Sequence, residues 1–66
     1  MKYIPGHQFT VTRTVKELEK GCAYRIYHIA PQTEGIQYIF VGPKGRVDMK
    51  FANVEEAEII IEKASK

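Results

Sequence analysis

Three sets of side chains in this 66-residue sequence have types that could do chemistry: a cysteine with two histidines, a run of carboxylates near the C-terminus, and cations interleaved with tyrosine. A nucleophilic cysteine needs a base within hydrogen-bond reach, itself oriented by a third group. Cys22 opens a strand-like stretch that carries His28 six residues on, about 20 Å away if extended. Cys22 therefore reads as a small half-buried residue and His28 as a sheet-face side chain. Glu55, Glu58 and Glu62 follow i, i+3, i+7 and read as the solvated outer face of a helix, not an acid–base pair. Gly42-Pro43-Lys44-Gly45 shares the composition of a phosphate loop, but it joins two strands and lacks a helix N-terminus with oriented amides. No Gly-x-Gly-x-x-Gly, Walker-type loop or Gly-x-Ser-x-Gly occurs, and Ser65 is the sole serine. The expectation is a non-enzyme with no cofactor, and one thiol cannot complete a thiolate metal site.

The cations are more informative. One face of the second strand carries Arg25, Tyr27 and Ile29; the fourth strand adds Arg46, Asp48 and Lys50, and the turn before it adds Lys44. Lys16 and Lys20 flank the set. Aromatic and basic groups on an open sheet suit single-stranded nucleic acid, by stacking and phosphate pairing. They equally suit the centre of a protein interface, where Tyr and Arg are enriched. They also suit an ordinary sheet face guarded by solvated charges.

Two features weigh toward protein. The isoelectric point of 8.8 is modest for a nucleic-acid binder, and Asp48 interrupts the basic row. The third strand is apolar on both faces, and one helix cannot cover both, which singles out Ile29, Ile39 and Val41 as possible interface residues. The expected function is a small adaptor or inhibitor that binds a protein partner or self-associates. The alternatives are a DNA- or RNA-binding protein using Arg25, Tyr27, Lys44, Arg46 and Lys50, and an oligomer holding a nucleotide-like ligand between Tyr and Arg side chains.

Composition bounds these readings. The net charge of +2 divides into +4 over residues 1–50 and −2 over residues 51–66. The longest apolar run, Ile59-Ile60-Ile61, is far short of the roughly 20 residues of a membrane span. MKYIPGHQ has no apolar core and does not read as a secretory signal, and no membrane partner is expected. An unpaired Cys22 suits a reducing, cytoplasmic compartment. A chain of this size buries only about 60% of its unfolded surface, which makes self-association a natural source of added stability.

These side chains must be positioned by sheet. Eight Ile and five Val against a single Leu favour a pleated surface over a helix bundle. Phe9 to Arg13 alternates as a first strand after a Pro5-Gly6 turn. Thr14-x-x-Glu17, with Val15, Leu18 and Gly21, predicts one helical turn over 15–20. Strands follow over 23–30, 36–41 and 46–51, with a loop at 30–35. In the last hairpin, a two-residue turn pairs Phe40 with Val47 and Tyr38 with Met49; a bulged three-residue turn sets Val41 against Val47 and exchanges the faces. Asn53 caps a helix whose stripe is Val54, Ala57, Ile60, Ile61 and Ala64, widened by Ile59. The fold class is α+β, a small antiparallel sheet of about four strands with the C-terminal helix on one face. An SH3-like small barrel with an appended helix is the alternative.

Tyr38 to Ala64, a hairpin running into Phe51-x-Asn53-x-x-Glu56-Ala57 and a helix, resembles part of the sheet-plus-helix DNA-binding modules of phage and transposon integrases. The resemblance spans under half the chain. The sheet departs from those modules in lacking their basic and aromatic density.

Overall fold

A computed structural model describes residues 1–66. Four strands, β1 (Gln8–Thr10), β2 (Ala23–Pro31), β3 (Ile36–Gly42) and β4 (Gly45–Phe51), form one antiparallel sheet in the order β1-β2-β3-β4. Helix α1 (Val54–Ser65) follows. β4 does not pair with β1, so the sheet is open and the fold is the α+β two-layer domain rather than the barrel.

The β3–β4 register is that of the two-residue turn. Gly42 pairs Gly45 across Pro43-Lys44, Phe40 pairs Val47 and Tyr38 pairs Met49. Gly45 takes φ +112, which a residue without Cβ adopts freely. This register puts Tyr38, Phe40, Met49 and Phe51 into the core with Phe9, Tyr24 and Ile26. Phe9 and Tyr38 meet Phe40 and Phe51 edge-on, at centroid separations of 5.8 Å and 5.5 Å.

In β2 the strict alternation breaks. Ile26 pairs Phe40 and His28 pairs Ile39, so Tyr27 is an extra residue in a β-bulge. A bulge turns two consecutive side chains to the same side and reverses the parity beyond it. Ile29 consequently pairs Tyr38 and packs against the core instead of sharing the face of Tyr27, and His28 lies on the outer face.

The segment between β1 and β2 is not helical. Val15 and Leu18 exchange two backbone hydrogen bonds of 3.0 Å around Lys16-Glu17, with Lys16 at φ +52. Thr14 Oγ1 accepts from the Lys20 amide at 3.0 Å, not from Glu17. The loop brings Val11 and Leu18 into full burial, so it shares with α1 the covering of the sheet's inner face. The first strand accordingly stops at Thr10. The Thr12 and Arg13 amides leave the ladder to donate to the Ala64 carbonyl at 2.7 and 3.3 Å, tying the loop to the end of α1.

Helix α1 starts where its cap residue places it: the Glu56 amide donates to Asn53 Oδ1 at 2.9 Å. Ala57, Ile61 and Ala64 are buried, while Ile59 is 52% exposed at the margin of the stripe. The helix's other face is not simply solvated. Lys2 and Tyr3 lie against it: the Lys2 amide donates to Glu58 Oε2 at 2.6 Å, and Lys2 Nζ and the Tyr3 hydroxyl reach Glu62 Oε2 at 3.0 and 2.9 Å. No helix is long and apolar enough to cross a membrane.

Candidate functional site: the outer face of the sheet

The face opposite α1 is built by three rows of cross-strand neighbours. Arg25, Val41 and Arg46 form the first, His28, Ile39 and Asp48 the second, and Ala30, Gln37 and Lys50 the third. Tyr27 stands beside them on the bulge and is 69% exposed; Val41 is 43% exposed and Ile39 half-buried. Arg25, Tyr27 and Val41 together line a shallow depression.

Of the five residues expected to bind, the structure brings Arg25, Tyr27, Arg46 and Lys50 to this one face. It places Lys44 at the hairpin tip, turned to a different task. Lys44 Nζ lies 2.8 Å from Glu19 Oε1, an ion pair that ties the tip to the loop after β1. Of the three expected interface residues, Ile39 and Val41 are on the outer face, and Ile29 is on the inner one for the reason given above.

The electrostatics of the face are milder than its composition. Arg46 Nε and Nη2 donate to the two oxygens of Asp48 at 2.7 and 2.9 Å, a forked pair two residues apart on one strand. Arg46 holds the Asp48 carboxyl below its usual range, and Asp48 raises the guanidinium in turn. The Glu19 carboxylate raises Lys44 in the same way. Two of the four cations are thus paired within the chain. Arg25 and Lys50 form no ion pair with any carboxylate and sit at opposite ends of the face.

Cys22 is half-buried just before β2, at the far end of that strand from His28 on the outer face. Sequence reasoning missed the docking of the N-terminal arm on Glu58 and Glu62. Its only trace in the sequence is the opposite charge of Lys2 and the helix. Compared with known proteins, the chain matches no family model, no curated protein and no solved structure.

Proposed function

We propose that the chain is a binding module, an adaptor or inhibitor without a catalytic step, that engages a protein partner through the outer face of its sheet. The observation that carries this reading is the apolar centre of Tyr27, Ile39 and Val41, left uncovered on a face whose rim is Arg25, His28, Lys50 and the Arg46–Asp48 pair. An apolar, aromatic centre inside a polar rim is the anatomy of a protein interface, where a Tyr and an Arg typically dominate the energy. Internal pairing of Arg46 and Lys44 supports it further, because a phosphate backbone would have to compete with Asp48 and Glu19 for those cations.

The test compares the parent with Val41→Glu and Tyr27→Ala, using Glu55→Gln on the exposed side of α1 as control. A partner protein retained by the parent and the control, and weakened about tenfold or more by both face variants, is the expected result. A nucleic-acid shift at about 50 mM salt that survives Val41→Glu but vanishes in Arg25→Ala and Lys50→Ala would overturn it.

A further inference from the structure

We propose that β4 is a self-pairing edge, at which a second copy of this chain adds antiparallel β4 to β4 about a twofold axis at Met49. Because Gly42 and Gly45 close the two-residue turn as a hydrogen-bonded pair, alternation turns the main-chain groups of Arg46, Asp48 and Lys50 away from β3. None of the backbone bonds made outside the ladders and helix reaches these three residues. The row is ready to pair with another strand.

The sheet's other open edge is blunted. Its strand β1 is only three residues long, and on β2 the segment beyond β1 carries the Tyr27 bulge and ends in Pro31, which has no amide to donate. β4 has neither bulge nor proline over its seven residues. Charge along it is the only guard, and charge also selects the occupant. Antiparallel pairing that keeps the apolar faces on one side allows few registers. A twofold at Asp48 sets that residue against its own copy and, twice by symmetry, Arg46 against the partner's Lys50, like against like throughout. A twofold at Val47 sets Arg46 opposite the partner's Asp48, but it duplicates the bond Arg46 already has and leaves Lys50 near the turn cations.

At Met49 the fit is better on both faces. Asp48 lies opposite the partner's Lys50, and by symmetry Lys50 opposite the partner's Asp48, so the unpaired cation of β4 finds an acid without breaking the Arg46–Asp48 fork. On the inner side Val47, Met49 and Phe51 continue as an apolar row across the junction. The helix layer supplies a second contact at the same margin. A groove whose lining includes Lys16, Lys50 and Glu56 together with Phe51, Ile59 and Ile60 opens beside the end of β4, with Ile59 half in solvent. The twofold brings the two grooves to the same side of a continuous eight-stranded sheet, and leaves both outer faces free.

Sedimentation from about 1 μM to about 1 mM protein tests this, because an edge of this size gives a weak dimer. The expected result is a shift from 7.6 kDa toward twice that mass, with the Arg46, Asp48 and Lys50 amides becoming protected from exchange in the dimer. Asp48→Lys and Lys50→Asp should each weaken association about tenfold or more, and combining them should restore it. A chain that stays monomeric throughout, a dimer whose β4 amides remain unprotected, or a combined variant that fails to recover while folding normally by circular dichroism would each overturn it. Tyr27→Ala serves to separate this edge from the outer face, and should leave the mass shift unchanged.

Discussion

At the residue scale the core has one polar flaw. The Tyr38 hydroxyl is fully buried and has no hydrogen-bond partner, and burial, reinforced by the negative charge of Glu58, pushes its pKa up. An unsatisfied buried hydroxyl destabilises the folded state, whereas its ring contributes the usual apolar burial. Tyr38→Phe keeps the ring and removes the flaw. It should be neutral or stabilising by up to about 1 kcal/mol in denaturant unfolding. A loss of that size would show that the hydroxyl is bonded in solution. The turn glycines act at the same scale: Gly35, at φ +91, is held so close to the Phe51 carbonyl that no Cβ fits, which fixes how β3 begins beside the end of β4.

At the scale of elements, the N-terminal arm and α1 are joined by charge. Lys2 and then Tyr3, bonding to Glu62, hold its carboxyl below the usual range, and Glu62 raises Lys2 and Tyr3. A depressed carboxylate contributes stability above its ordinary value and loses it as pH falls through the lower folded value. The raised Tyr and Lys contribute below their ordinary values and lose it as pH rises. The arm should therefore stay docked through neutrality, and come free as pH falls below the ordinary carboxylate range and as it rises past the ordinary tyrosine and lysine range. The NMR shifts of the Tyr3 ring and the Lys2 side chain, whose hydroxyl and ammonium groups bond to Glu62, read this directly, and Glu62→Gln should weaken docking at neutral pH and flatten the acid limb. The groups are exposed, so the effect on global melting is small.

Elements differ in how legible they are in the sequence, for physical reasons. α1 was readable because Asn53 and Glu56 mark its start and the stripe marks its buried side. β3 was readable as the central strand because both its faces are apolar. The turn at 15–18 was not: residues i and i+3 are neighbours in a helical turn and also across a two-residue β-turn, so Val15 and Leu18 fit either. Leu18 decided it by being needed over the sheet. The bulge was invisible for a related reason. Tyr27 and His28 both tolerate exposure, so the run from Tyr24 to Ile29 alternates plausibly with or without an extra residue. The candidate face is thus legible in its cations and Tyr27, whereas strict alternation counts Ile29 onto it through the bulge.

For the whole molecule, the sequence's charge division persists in altered form. The arm lays Lys2 on the acidic helix, and Lys44 and Arg46 are matched within the chain, so the outer face keeps a weak positive character at Arg25 and Lys50. Two layers leave the β3 face beneath Ile39 and Val41 without cover, and a molecule 32 × 21 × 19 Å in extent has no further element to supply it. If the outer face binds as proposed, the bulge also separates recognition from architecture. The pairs on either side of Tyr27, Ile26 with Phe40 and His28 with Ile39, are already consecutive on β3. Excising Tyr27 would let β2 close up with every cross-strand pair retained. Such a one-residue deletion should keep the register and melt within a few degrees of the parent, as read by amide exchange and calorimetry, yet lose the partner. The sheet carries its most exposed aromatic as an insertion that the fold does not need.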